Sequence, residues 1–476
     1  MNKQTRREFL RNAGFSAGLL FAPRIAFGET KPAGKPNIIF ILADDLGYGD
    51  IGCYGQKQIQ TPNLDKMAAD GIRFTQHYAG STVCAPSRCV LMTGLHTGHC
   101  YVRGNKAVGE GEMPLPEGTF TLAKMLKEAG YATGIIGKWG LGGPGTTGVP
   151  NNQGFDYFYG YLSQIHAHNY WPAYLWRNDE KVKLDNEVVT AQDGYAKGQG
   201  TAATKCVQYS HDLFAEESLK FVENNKDKSF FLYLTYTIPH ANNEAGLVNR
   251  HGMEVPDYGI YKDKDWPEPQ KGKAAMITRM DGDIGRLLAK LKDVGIEKNT
   301  LVIFSSDNGP AMEAGAEPEF FDSNGALRGM KRDLYEGGIR VPLIAYWPGK
   351  IKPGSVSGHI SAFWDFLPTF AEIADVKAPE NIDGISILPT LLGDGDKQKQ
   401  HEYLYWEFHE KPQAQAIRMG DFKAVFFVRE KKLELYNLKT DLGEEKNVAT
   451  EHAEVTEKIK EVIKTARTPS EIFSFQ

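Results

Sequence analysis

The chain has 476 residues, 41% hydrophobic and 24% charged, the balance of a globular enzyme with room for two or three domains of roughly 150 residues each. Its formal net charge is −5, and removal of residues 1–28 would take away five basic side chains against Glu8 and bring it to −9. Such acidity excludes a general binder of nucleic acid or of an anionic membrane surface, so an anionic ligand must meet a local basic pocket.

Thr5-Arg6-Arg7-Glu8-Phe9-Leu10-Arg11, a mildly apolar run over 13–22 and then Ala26-Phe27-Gly28 read as a twin-arginine export signal with a small-residue cleavage site. Residues 1–28 are therefore expected to be a signal peptide, and the mature protein periplasmic or secreted. Gly14, Gly18, Pro23 and Arg24 interrupt the apolar run, which falls short of the ~20 residues of a spanning helix, so no integral membrane segment is expected.

Residues 36–43, Pro-Asn-Ile-Ile-Phe-Ile-Leu-Ala, form a continuous apolar run typical of a strand buried on both faces, with Asp44-Asp45 at its carboxyl end. Thr61 and Pro62 are an N-cap and first helical position. Helical patterns at 121–129, 212–223 and 274–293 precede apolar strands at 132–136, 230–236 and 300–306. This alternation predicts an α/β fold, a large mixed, mostly parallel sheet sandwiched by helices. Ligands of such sheets bind beyond the carboxyl ends of the strands. Asp44-Asp45, Gly137-Lys138, Pro239-His240 and Asp307-Asn308 all fall there, which predicts one shared site.

The stretch 166–204, rich in Tyr, Trp, Asn and Gly, reads as a long functional loop or insertion rather than core. Beyond about 395, aromatic and β-branched runs at 402–408, 416–419, 422–428 and 433–438 have hairpin spacing, and a helix follows at 451–467. The expected division is a catalytic α/β domain over 29–395 and a smaller C-terminal antiparallel sheet plus helix over 396–476.

Asp44, Asp45, Asp307 and Asn308 offer hard oxygen ligands only, which selects Ca²⁺ or Mg²⁺ over zinc or copper. Five cysteines, Cys53, Cys84, Cys89, Cys100 and Cys206, leave one thiol over in an oxidising compartment, and no spacing resembles a zinc site. Cys84-Ala85-Pro86-Ser87-Arg88, continuing through Leu91 to Thr93-Gly94, fits C-x-P-S-R-x-x-L-x-T-G. Read on its own residues, Cys84 is either a structural thiol on a Pro-containing turn or a residue marked for modification.

That motif is followed in order by Gly137-Lys138-Trp139, Pro239-His240, Ser306-Asp307-Asn308-Gly309, Leu327-Arg328-Gly329-Met330-Lys331 and Tyr335-Glu336-Gly337-Gly338. On these residues the chain resembles the formylglycine-dependent sulfatases of the alkaline-phosphatase-like superfamily, over nearly all of the mature length. The resemblance implies that a formylglycine-generating maturation enzyme converts Cys84 into an aldehyde. One hydroxyl of the hydrated aldehyde attacks sulfur, and the other later expels sulfate. It also implies a divalent metal, Ca²⁺ or alternatively Mg²⁺, held by Asp44, Asp45, Asp307, Asn308 and the residue made from Cys84. Arg88, one turn after Cys84, would orient the diol, Lys138 and Lys331 would clamp sulfate oxygens, and His240 would protonate the departing alcohol.

One departure stands out: the family commonly carries a histidine after the Lys-Trp pair, where this chain has Gly140. His166 or His168 is expected to reach into the gap. Trp171 on the insertion, Trp406 and His409 near the C-terminus, and Arg328 complete a candidate substrate-binding set, the aromatics offering stacking faces to a sugar. The expected substrate is a sulfated saccharide. Two alternatives are a phosphodiester or phosphonate hydrolase of the same superfamily and a catalytically silent binder of sulfated glycans.

Overall fold

A computed structural model describes residues 34–475, so the twin-arginine segment lies outside the described residues. A ten-stranded sheet organises the chain. Its strands run in the order Ser355–Ser357, Ile72–Phe74, Leu343–Tyr346, Thr300–Ser306, Asn37–Ala43, Phe230–Thr235, Ala132–Lys138, Tyr157–Tyr161, Tyr174–Arg177 and Glu180–Lys183. The five strands from Thr300–Ser306 to Tyr157–Tyr161 are mutually parallel, and antiparallel pairings appear towards both edges.

The uninterrupted apolar run of the first strand is explained by two cores. Ile38, Phe40 and Leu42 point into one, Ile39, Ile41 and Ala43 into the other, as the period-two alternation of a strand requires. Helices Cys84–Thr93, Leu122–Glu128 and Phe366–Ile373 cover the first face, with Phe366 edge-on to Phe40 at 4.8 Å between centroids. Helices Pro62–Asp70, Ser210–Asn225 and Glu268–Asp293 cover the second. The last of these starts six residues before the apolar periodicity does, because Pro267 supplies its N-terminal boundary.

Register places the functional strand ends within one residue of one another. Ala43 pairs with Ser306, Leu42 with Thr235, and Thr235 with Gly137, so Asp44 and Asp307 leave the sheet level with each other, one residue beyond the level of Tyr236 and Lys138. Gly137, at φ 112°, is required there, since a Cβ would lie 1.9 Å from the Thr235 carbonyl oxygen.

The stretch 166–204 is not a loop excluded from the core. It carries the strands Tyr174–Arg177 and Glu180–Lys183 that extend the main sheet, and a hairpin of Glu187–Thr190 with Thr201–Lys205. Its aromatic residues Tyr170, Trp171 and Trp176 are buried.

The four strands Leu404–Phe408, Ala414–Met419, Phe422–Phe427 and Lys432–Asn437 form the separate antiparallel sheet, with the helix Ala453–Thr465 packed on it through Ile459. Its other face, including Leu404, Trp406 and Phe408, joins the first core of the main sheet. A buried ionic cluster joins the two sheets: Glu336 receives Lys423 at 3.0 Å and Arg340 at 3.1 Å, and Lys423 reaches Glu444 at 3.1 Å. No helix among the described residues is long and apolar enough to cross a membrane. All five cysteines are free thiols.

Candidate active site

Asp44 follows the first strand directly, and Asp45 takes a left-handed conformation, φ 63°, which a short acidic side chain tolerates. The turn is pinned by Asp45 N–H donating to Asp307 Oδ1 at 3.2 Å and Leu46 N–H to Ser306 Oγ at 3.0 Å. Cys84 opens the helix Cys84–Thr93. Val83 is extended before it, Pro86 sits in the first turn where no N–H is needed, and Gly94 at φ 69° ends it. All ten residues of the helix are buried. Ser87 Oγ donates to the Asp307 carbonyl at 2.5 Å, which ties this helix to the far strand.

Around that frame the sequence-predicted groups converge. Cys84 Sγ lies 3.4 Å from Asp44 Oδ1. Arg88, four residues on and thus on the same helical face, donates through Nε and Nη2 to Asp307 Oδ2 at 3.2 and 2.8 Å. Its Nη1 donates to the Lys138 carbonyl at 2.6 Å and to Thr235 Oγ1. Lys138 Nζ is 2.5 Å from Asp44 Oδ2, and Lys331 Nζ is 2.8 Å from Asp45 Oδ2 and 3.1 Å from His240 Nε2. Asn308 Nδ2 donates to Asp45 Oδ1 at 2.7 Å.

The electrostatics follow from burying three carboxylates together. For Asp44, burial opposes ionisation, but Lys138, His240, Arg88 and Lys331 outweigh it and hold the carboxyl well below the usual range. Asp307 is pushed up to about 7 by burial and next by the Asp44 charge, against the pull of Arg88. Burial and the same Asp44 charge raise the Cys84 thiol well above its ordinary value, so the sulfur stays protonated and is a poor nucleophile as it stands. Burial and then Lys331 bring His240 down to about 4. Its Nδ1 donates to the Ala241 carbonyl at 2.7 Å, which leaves the Nε2 lone pair facing Lys331.

These residues fit a hard divalent cation. Ligand atoms of Asp44, Asp45, Cys84 and His240 lie within 4.8 Å of one another, and Asn308 Oδ1 is buried with no hydrogen-bond partner. Crowded acidic groups plus an orphaned amide oxygen are what an oxygen-ligated ion relieves.

Cys84, Lys138, His240 and Lys331 line a cavity of about 860 Å³. The rest of its wall includes Asn105, Gln164, His168, Asp193, Tyr195, Glu244, Glu313, Arg332 and Glu410. Of the expected substrate contacts only His168 reaches this cavity; it stacks on His240 at 5.0 Å and pairs through Nδ1 with Glu244 at 2.9 Å.

The other expected contacts are placed elsewhere. His166 packs between Tyr161 and Tyr174. Trp171 packs on Tyr209. Trp406 is fully buried and donates its indole N–H to the Ala79 carbonyl at 3.0 Å. His409 binds Glu407 and stacks on Phe475. Arg328 lies over Tyr335 and donates to the Glu444 carbonyl. In each case burial of an aromatic face or a competing partner takes the side chain away from the cavity.

Sequence reasoning missed Gln164, Glu244, Glu313, Arg332 and Glu410. Glu313 was within reach of the strand-end rule, lying on the loop that follows Asp307-Asn308; its carboxylate is 3.7 Å from Lys331 Nζ. The others are brought in by loops with no periodic signal.

Comparison with known proteins agrees with this geometry. Residues 36–376 match the Sulfatase family and residues 329–469 the C-terminal family of N-sulphoglucosamine sulphohydrolase. The chain is 33% identical to human Arylsulfatase A, covering 87% of this chain and 79% of that protein. It is 31% identical to an N-acetylgalactosamine-6-O-sulfatase of Bacteroides thetaiotaomicron, covering 91% and 93%. Among solved structures, Ps i-CgsB in complex with k-i-k-neocarrahexaose superposes with a TM-score of 0.75 at 29% identity, covering 90% of this chain and 92% of that one. With a shared fold, a family match over most of its length and relatives this close, the chain belongs to the sulfatase family and is a sulfuric ester hydrolase.

Proposed function

We propose that the protein hydrolyses a sulfate ester on a sulfated carbohydrate, through a formylglycine made from Cys84 by a maturation enzyme and a Ca²⁺ ion, with Mg²⁺ as the alternative. The observation that carries the reading is that Cys84, Lys138, Lys331 and His240 line a single cavity, with Asp44 held against Cys84 and Lys138 behind them. When present, the converted residue supplies a hydroxyl nucleophile to sulfur and the cation supplies Lewis-acid polarisation. Asp44, Asp45, Asp307 and Asn308, with the residue at position 84, would hold the ion.

The chain's own residues do the rest. Lys138 and Lys331 are buried ammonium groups whose partners are carboxylates, so they are held in place before the anionic ester arrives and need little reorganisation to meet it. Arg88 holds Asp307 and the Lys138 carbonyl and so fixes the angle between helix and sheet on which position 84 depends. His240 is neutral with an open Nε2. A bound anion favours its charged form, in which Nε2, protonated from water in the cavity, can pass that proton to the departing alcohol oxygen, while Lys331, 3.1 Å away, stays an ammonium that binds the anion.

Support for a saccharide comes from the names of the relatives and from the cavity wall. Asp193, Glu244, Glu313 and Glu410 offer carboxylates that accept hydrogen bonds from sugar hydroxyls. Export through the N-terminal twin-arginine segment, to the periplasm or the medium, belongs to the same proposal and rests on the sequence of residues 1–28.

The test joins peptide mass spectrometry across residues 81–94 with turnover of sulfate and phosphate esters of one alcohol, with and without chelator. Loss of thiol sulfur at Cys84 together with chelator-sensitive sulfate release is expected. Faster phosphate release, or an unmodified Cys84 in fully active protein, would overturn the reading.

A further inference from the structure

Gly140 leaves room beside Lys138, and neither histidine of the 166–168 segment fills it. Trp139 and Gly140 donate their N–H groups to the carbonyls of Tyr161 and Leu162 at 2.9 and 3.1 Å, so the chain two residues beyond Leu162 runs over position 140. The residue lying there is Gln164. A Cβ built on Gly140 would come 2.0 Å from Gln164 Nε2 and 2.8 Å from its Cδ, and Gly140 has φ 81°. The amide of Gln164 thus occupies the volume that a side chain at 140 would take, and glycine at 140 is the condition for its being there.

The state of that amide is unusual. Gln164 is 5% exposed, it lines the cavity together with Cys84 and Lys138, and both its Nε2 and its Oε1 are buried with no hydrogen-bond partner. Leaving such an atom buried and unpaired forfeits its hydration without return, so an amide with both ends unpaired points to a partner that arrives from outside. Its backbone is fixed independently, since Gln164 N–H donates to Glu112 Oε1 at 3.1 Å. The neighbouring cation, Lys138, makes this end of the cavity favourable to an anion with oxygen acceptors.

We propose that Gln164 is a substrate-contacting residue that donates its Nε2–H to an oxygen of the bound sulfate group, replacing the side chain that Gly140 lacks. The inference rests on the sulfatase reading of the cavity and names a contact outside the sequence motifs described above. No covalent step is assigned to Gln164; its part is to bind and orient the sulfate.

The experiment compares the parent protein with Gln164→Leu and Gln164→Glu, both close to glutamine in volume. Three quantities are read: the Kd for inorganic sulfate by calorimetry, the Tm, and kcat/KM on a sulfate ester. A hydrogen bond to a charged group sets the expected loss, about 10- to 100-fold in sulfate affinity for Gln164→Leu, with a larger loss for Gln164→Glu because it adds a like charge. Because leucine removes two unpaired buried polar atoms, its Tm is expected to equal or exceed the parent's. A Gln164→Leu protein with parental sulfate affinity and parental kcat/KM but a lowered Tm would mean that the amide only packs the loop, and the inference would fall. Parent protein that binds sulfate through Gln164 yet turns over no sulfate ester would instead sink the sulfatase mechanism and leave the contact standing.

Discussion

Replacing Arg88 by methionine tests the frame of the site. The guanidinium is fully buried, 2.8 Å from Asp307 and 3.6 Å from Asp44, and methionine keeps most of its length without charge or donors. At pH 8, above the value of about 7 that Asp307 reaches beside Arg88, breaking this buried pair from one side leaves a carboxyl that stays charged without its partner or must take up a proton, and costs up to about 3–5 kcal/mol. Unfolding entropy of about 2.1 cal/mol/K per residue over the roughly 440 described residues comes to about 0.9 kcal/mol/K, so a 4 kcal/mol loss lowers Tm by about 4 °C. Differential scanning calorimetry in the presence of chelator, which removes any stabilisation by bound metal, is the assay. Arg88→Met with Asp307→Asn is expected to regain most of the loss, because the stranded carboxylate is gone, whereas the two effects would add if Arg88 acted only through packing. A melting curve for Arg88→Met superimposable on the parent's would refute the argument that this ion pair holds the Cys84 helix to the sheet.

Lys138→Met is expected to lower kcat/KM on a sulfate ester by about 10²- to 10³-fold, the cost of removing one donor from a developing negative charge; a smaller loss than tenfold in steady-state kinetics would place Lys138 outside the reacting group. Lys423→Met strands Glu444, 3.1 Å from the lost ammonium, and leaves Glu336 with Arg340 as its cation, and is expected to lower stability by about 3–5 kcal/mol in denaturant titration while kcat per folded enzyme stays parental. His77, buried against Ser361, is brought down from 6.5 to about 3 by burial and then by His359. The unfolded chain therefore takes up a proton that the folded one refuses, and stability present above pH 6.5 is lost by about 1.4 kcal/mol per unit as pH falls from 6.5 towards 3. His77→Gln should flatten that slope by one proton in urea midpoints measured at pH 7, 6 and 5, and parallel slopes would show that His77 is not the group responsible.

Much of the fold was legible because its signals are local. The apolar run at 36–43 with acidic residues after it, the Thr61-Pro62 helix start, and the hairpin spacing beyond 402 each lie within a few contiguous residues, and the structure has an element at every one. The convergence of Asp44, Lys138, His240 and Asp307 followed from one topological rule about strand ends, which parallel register then satisfies. The expectation of a functional loop or insertion rather than core over 166–204 misses two short edge strands, because the first, Tyr174–Arg177, finds its sheet partner in Tyr157–Tyr161 outside the segment and only then carries the second.

The chain's own order of residues settled which chemical groups this enzyme possesses and on which strand ends they sit, since motif spacing and hydrophobic period are properties of neighbours in sequence. Which groups face the cavity was settled by packing between distant segments. Trp406 looked like a sugar platform, yet alternation along Leu404–Phe408 turns it, with Leu404 and Phe408, onto the main core, and nothing within that strand says which of its two faces the core will take. Gln164 carries no signal of its own in the sequence, yet a backbone hydrogen bond from Gly140 to Leu162 brings its unpaired amide over a missing side chain 24 residues earlier. Such contacts depend on how two surfaces meet, and that depends on the burial of the whole assembly rather than on any local stretch.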